Sequence, residues 1–285
     1  MSPLCLLWLI LFYMIVSLDD CAARDVRLSG GKAAALAALI AAKFPVPEGF
    51  VVTTPEEPDL IARLNALEKS IEPDSLFAVR SSGYAEDSAD SSFAGQFETV
   101  LAVKGPIEVS NAVARCFASF SNSRSAAYRE HGKPSCEGGA VIVQRLVEAD
   151  AAGVAFTLDP LTGVRDVVVI EANFGLGDSV VGGHVNPDGF TVTKKTGEIV
   201  QKRIGDKRVR SIVAANGSRL DPLPEHLSRA PSLSDEAIWT VADLARRVEE
   251  HQGGPVDIEW AWKNGQVWLL QARPVTTSGS IEERK

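Results

Sequence analysis

Asp257-Ile258-Glu259-Trp260-Ala261-Trp262-Lys263-Asn264-Gly265-Gln266-Val267-Trp268-Leu269-Leu270-Gln271-Ala272-Arg273 is the stretch that decides the fold. Two largely apolar runs with alternating polar residues flank Asn264-Gly265, a strong short-range hairpin signal. Loop length then sets which side chains share a face, because a slip of one residue turns a strand's whole apolar set to the other side. A two-residue loop sets Trp262 opposite Val267 and mixes Ile258, Trp260 and Trp262 with Gln271 and Arg273. A three-residue loop, Lys263 to Gly265 with Gly265 left-handed, pairs Trp262 with Gln266 and separates the faces. Ile258, Trp260, Trp262, Trp268 and Leu270 then form one apolar side, and Asp257, Glu259, Gln271 and Arg273 share the other. Large apolar groups gain roughly 1.5–3 kcal/mol each on burial, so the three-residue loop is expected. The polar face carries the donor set that holds a magnesium ion and the phosphates it bridges. The same four residues equally suit a cross-strand salt bridge on a solvated sheet.

Upstream of the hairpin, Ser234 caps a predicted helix with Asp235 and Glu236 in its first turn and Ile238, Val241, Ala245 and Val248 as its stripe. Gly253-Gly254-Pro255 ends it. Residues 205–233 read as an irregular connection. Strands are expected at Val167 to Glu171, Ala155 to Thr157, Val141 to Gln144, Phe77 to Arg80 and Phe50 to Thr54. Helices are expected over Ile107 to Arg129, with Val113, Cys116, Phe117 and Phe120 on the core face, around Leu60, Leu64 and Leu67, and over Ala33 to Lys43. Ser81 to Gln96 reads as a polar loop directly after a buried strand. Strands mixed with helices throughout indicate an α/β or α+β domain.

The 285 residues carry 45% hydrophobic and 23% charged residues, which suits a folded chain with a substantial core. Lys plus Arg number 29 against 37 Asp plus Glu, a net charge of −8, so a phosphate-backbone footprint for nucleic acid is not expected. Cys5, Cys21, Cys116 and Cys136 form no metal or disulfide spacing, which indicates a reducing, cytoplasmic setting. Leu4 to Leu18 is nearly all apolar, yet it is shorter than the about twenty residues a spanning helix needs. It lacks the flanks of a secretory signal. A start at Met14 would leave a short strand entering the domain, and no membrane association is expected.

Two further groups are suited to anions, and a third is a partial dinucleotide fingerprint. Gly30-Gly31-Lys32 at a strand-to-helix junction offers backbone amides and a cation, without the remaining positions of a Walker A loop, or forms a simple turn. Arg80 ends an apolar strand, where its fork suits either phosphate oxygens or a buried ion pair. Gly175-Leu176-Gly177 lacks the third glycine of a dinucleotide fingerprint. His131, His184, His226 and His251 share no spacing and read as surface or capping residues.

Together these segments resemble the ATP-binding domain of the phosphoenolpyruvate synthase, pyruvate phosphate dikinase and rifampin phosphotransferase family. The matching stretches run from about Leu28 to Thr277: Gly30-Gly31-Lys32-Ala33, Val46-Pro47-Glu48-Gly49-Phe50-Val51-Val52-Thr53, Val79-Arg80-Ser81-Ser82 with Glu86-Asp87-Ser88, and Ser92-Phe93-Ala94-Gly95-Gln96 through Glu98-Thr99. They continue with Val143-Gln144, Gly153-Val154-Ala155-Phe156-Thr157 with Asp159-Pro160, Phe174-Gly175-Leu176-Gly177, Asp257-Ile258-Glu259-Trp260 and Leu270-Gln271-Ala272-Arg273-Pro274.

The resemblance implies an α+β, ATP-grasp fold whose two lobes close on a nucleotide. It implies an entry segment over 1–27, lobes over 28–140 and 141–277, and a tail over 278–285. Lys32 and Arg80 match residues that grip the ATP phosphates. Gly95 and Gln96 belong to a phosphate loop that continues to Thr99, Gln144 lies beside the adenine, and Glu259 and Gln271 match ligands of Mg2+ and phosphate. Arg273 matches the cation opposing the transferred charge. The implied reaction passes a phosphoryl or pyrophosphoryl group from Mg-ATP to a histidine on a separate domain or protein, leaving AMP. The family's Thr-Ser-His acceptor motif is not in this sequence, Asp178 stands where the family usually has Glu, and the stretch between Thr54 and Phe77 is short. Only the ATP half-reaction is therefore expected, with a phosphohistidine-domain protein as partner. A non-catalytic ATP-binding module or family fragment is the alternative.

Overall fold

The computed structural model describes residues 15–54, 75–84, 98–131, 138–215 and 217–275. The first part comprises β1 (Ile15–Ser17), a 3-10 turn (Cys21–Arg24), α1 (Val26–Ala41), β2 (Gly49–Val52), β3 (Leu76–Gly83), β4 (Thr99–Lys104), α2 (Pro106–His131) and β5 (Gly139–Arg145). The second comprises β6 (Ala151–Phe156), β7 (Val167–Phe174), β8 (Asp188–Thr193), β9 (Ile199–Arg203), β10 (Val209–Ala214), β11 (Gly217–Pro222), α3 (Asp235–Gln252), β12 (Val256–Lys263) and β13 (Gln266–Pro274). This is the expected α+β class, with a five-stranded sheet in the first part and a six-stranded sheet plus the two-stranded β10-β11 sheet in the second.

The first sheet has the order β1-β2-β5-β3-β4, with antiparallel neighbours. Its inner strands read as apolar without alternation because both faces are covered. Val141 and Val143 pack with Val109, Val113 and Cys116 of α2, whereas Ala140 and Ile142 pack with Ala33 and Leu36 of α1. β5 is the middle strand of this sheet, so the division between lobes falls after Arg145 rather than at 140. The sequence boundary missed this because β5 is far in the chain from its partners.

The second sheet has the order β13-β12-β6-β7-β8-β9 and is also antiparallel. The expected stripe of α3, Ile238, Val241, Ala245 and Val248, packs on Ile170, Phe190, Ile258, Trp260 and Leu269. Ser234 Oγ caps this helix by accepting from Ala237 N at 3.2 Å, and Gly253 ends it at φ 76°.

The hairpin register differs from the expected one. Lys263 pairs with Gln266 and Trp262 with Val267, so the loop is the two-residue Asn264-Gly265, with φ of 50° and 80°. The register shifts between Glu259 and Trp260, where Leu270 is an extra residue in β13. Beyond this bulge Glu259 faces Gln271 and Asp257 faces Arg273. Val267, Leu269 and Ala272 are buried, whereas Trp268 and Leu270, expected in the core, are only partly so. The loop comparison assumed an uninterrupted ladder. A single bulge satisfies the turn, the core and the polar face together, as bulges beside sites commonly do.

Two more elements depart from the sequence reading. α1 begins at Val26, with Asp25 as its cap, and kinks at Gly30, which has φ 77° and ψ 168°. The expected junction at Ser29 to Lys32 is therefore a break inside a helix, and a Cβ on Gly30 would lie 2.1 Å from Ser82 O. Within 205–233, β10 and β11 form a hairpin instead of an irregular connection. Its mostly half-exposed strands lack an apolar face, and its root is fixed by the fully buried pair Lys207 and Asp188, 2.5 Å apart. The expected helix around Leu60 and the loop beyond Tyr84 lie outside the described residues, as do 1–14. Among the described residues, no helix is long and apolar enough to cross a membrane.

Burial lifts the Cys116 thiol to about 11. Native protein treated with iodoacetamide at pH 8 should therefore leave Cys116 unmodified by peptide mapping, and denatured protein should not. Gly30→Ala should lower stability by about 2–3 kcal/mol in urea unfolding, since it combines a positive φ with a backbone clash.

Candidate active site

A cavity of about 520 Å³ lies between the two sheets. Seven residues singled out from the sequence line it together: Lys32, Arg80, Thr99, Gln144, Glu259, Gln271 and Arg273. Gly95 and Gln96 lie outside the described residues.

Each arrives by a local cause. Lys32 stands just past the Gly30 kink, where Ala33 N donates to Ser82 Oγ at 3.1 Å and docks the restarted helix on β3. Arg80 and Thr99 are opposite partners on β3 and β4. Gln144 is only 1% exposed on β5, and its Nε2 donates to Pro47 O at 3.1 Å, which fixes the amide. On β12 the period of two sends Ile258 and Trp260 into the α3 core while Asp257 and Glu259 take the opposite face.

Two ion pairs involve the arginines singled out from the sequence. Arg273 donates to Asp257 Oδ2 from Nε at 2.8 Å and lies 2.7 Å from it through Nη2, so one carboxylate oxygen takes both arms of the fork. Arg80 reaches across from the other sheet, its Nη1 3.5 Å from Glu259 Oε2. The Arg80 side chain is 12% exposed, and its Nε is buried with no hydrogen-bond partner. Of the two sequence alternatives for Arg80, the ion pair is present, and it lies inside the cavity rather than apart from it. Asp257 and Arg273 likewise form a cross-strand pair, of which Arg273 lines the cavity.

Several lining residues had no sequence signal of their own. Leu101 of β4 and Leu146, Val147 and Ala149 of the connection between β5 and β6 form apolar walls. Leu176 and Gly177, singled out from the sequence as part of an incomplete dinucleotide fingerprint, line another side together with Asp178. Gly175, at φ 78°, would place a Cβ 2.1 Å from Ser211 O, and Leu176 N donates to that oxygen at 2.9 Å. Ser218 Oγ donates to Asp178 Oδ2 at 2.9 Å, so the β10–β11 hairpin buttresses this wall. β7 pairs antiparallel on both sides, which excludes the parallel dinucleotide arrangement for this loop. His184, exposed as a surface residue, also lines the cavity.

Among the described residues, no group of three or more His, Cys, Asp or Glu could hold a metal. Glu259 and Gln271 instead offer a carboxylate and an amide from facing positions. That pair fits magnesium, which keeps several waters and takes few protein ligands besides phosphate oxygens. Four cations (Lys32, Arg80, Arg145 and Arg273), two oxygen ligands and apolar walls in one cavity suit a molecule with an anionic and an aromatic part.

The family model described as the pyruvate phosphate dikinase AMP/ATP-binding domain matches residues 57–285. A probable phosphoenolpyruvate synthase of Methanothermobacter thermautotrophicus is 35% identical over 314 residues, covering 91% of this chain and 45% of that protein. A rifampicin phosphotransferase of a Streptomyces species is 34% identical over 322 residues, covering 95% of this chain and 37% of that protein. The chain thus spans less than half the length of either relative. A solved D-alanine-D-alanine ligase from Bacillus anthracis complexed with ATP is 8% identical at a TM-score of 0.41, covering 85% of this chain and 54% of that one.

Gln144→Leu should cost about 1–3 kcal/mol in chemical unfolding, because it leaves the Pro47 carbonyl without its buried donor.

Proposed function

Because the chain belongs to the pyruvate phosphate dikinase AMP/ATP-binding domain family, we propose that its interlobe cavity binds Mg-ATP and performs the ATP half of a phosphotransferase reaction. The observation that carries this is the convergence of Lys32, Arg80, Thr99, Gln144, Glu259, Gln271 and Arg273, scattered over 242 positions of sequence from 32 to 273, on one cavity.

In this reading Lys32 and Arg80 bind the triphosphate, and Gln144 with the apolar connection after β5 receives the adenine. Glu259 and Gln271 would hold magnesium, which when bound would neutralise phosphate charge. Arg273, steadied by Asp257, opposes charge on the group in transit. Phosphoryl transfer asks mainly for positioning and charge neutralisation, so no protein nucleophile is needed within the cavity. The acceptor is a histidine on a separate domain or protein. Its imidazole nitrogen bonds to the β-phosphorus as the bond from that phosphorus to the α,β-bridging oxygen breaks, and AMP leaves. The ATP-grasp fold provides the closing lobes, and the free thiols of Cys21 and Cys116 suit a cytoplasmic setting.

A non-catalytic ATP-binding module is the second reading, favoured by one observation: Arg80 and Arg273 are each already engaged by a carboxylate. Labelled ATP distinguishes the two. With a phosphohistidine-domain protein supplied, acid-labile label on that protein together with AMP is the expected result, and binding without either product would establish the module. Glu259→Ala and Arg273→Ala should each lower transfer at least about 100-fold while the proteins stay folded. Unchanged transfer would remove the site assignment.

A further inference from the structure

Arg80 and Glu259 sit on different sheets, 179 residues apart, yet they are each other's partners across the cavity at 3.5 Å. We propose that this clasp makes the site select the metal complex of the nucleotide over the free triphosphate, with Glu259 holding Arg80 until a divalent cation takes the carboxylate. The inference rests on the ATP reading above and adds to it how the site discriminates.

The two side chains are 12% and 27% exposed, so neither charge is fully hydrated and each depends on the other. Separating such a pair without replacement leaves a poorly hydrated carboxylate, which is costly. A free triphosphate entering the cavity would impose that separation. It competes for Arg80 and leaves Glu259 facing a polyanion. A nucleotide that brings a divalent cation supplies Glu259 with a new partner in the same event and releases the guanidinium for phosphate. Arg80 is poised for the exchange, since its Nε is buried without a hydrogen-bond partner and its bond to Glu259 is long. Asp257, the other carboxylate on this face of β12, bonds Arg273 of the facing strand.

Calorimetric titration tests the clasp without turnover, using ATP in EDTA and ATP with magnesium. Wild-type protein should prefer the magnesium complex by at least about tenfold, and Glu259→Gln should bind metal-free ATP at least about fivefold more tightly than wild type does. Glu259→Ala, read the same way, should show the same direction. In an Arg80→Gln background the gain from Glu259→Gln should shrink to less than half, because the arginine to be released is gone. Variants that bind metal-free ATP no better than wild type, or an equal gain with and without Arg80, would overturn the clasp while leaving the ATP site standing. Wild-type protein that binds neither form would instead overturn the ATP reading on which the clasp rests.

Discussion

One strand has to satisfy two opposite demands. β12 buries Ile258 and Trp260 against α3 and at the same time places Glu259 at the interlobe cavity, with Asp257 on the same face holding Arg273. The period of two makes this possible, and the core holds it in place, because a slip by one residue would drive the carboxylates into the α3 interface and Trp260 out of it. The positions of Arg273, Gln271 and Arg80 follow from that anchoring. The first two face β12 residues, and the third meets Glu259 from the other lobe.

The bulge at Leu270 shows how local irregularity serves this arrangement. A two-residue Asn264-Gly265 turn and a regular ladder would not by themselves put Gln271 and Arg273 on the face of Glu259 and Asp257. One extra residue resets the parity midway, so the tip keeps its preferred turn and the far end keeps its site. The Gly30 kink acts similarly in the other lobe. It splits a helix so that Lys32 enters at the start of a new segment beside β3.

Much of this was legible in the sequence. The stripe of α3, the strand at Val141 to Gln144 and the separation of Asp257 and Glu259 from the tryptophan face of β12 all follow from periodicity. The loop length did not, because comparing two regular ladders omits a bulge, and a single leucine among leucines gives no sign of it. The β10–β11 hairpin was illegible for another reason. Its strands present no apolar face, and what fixes its root is a buried pair between Lys207 and Asp188, nineteen positions apart. The Arg80 to Glu259 contact lay further out of reach, since nothing local to either residue names its partner across the lobes. The family resemblance placed both at one site, whereas only the packing of the two sheets shows that they occupy each other.

The most direct measurement is a crystal structure of the protein with magnesium and a non-hydrolysable ATP analogue. The expected result is a metal at about 2.1 Å from oxygens of Glu259 and Gln271, with the triphosphate along Lys32, Arg80 and Arg273 and the base beside Gln144. Nucleotide bound elsewhere, or bound in the cavity with its metal away from Glu259 and Gln271, would contradict the account.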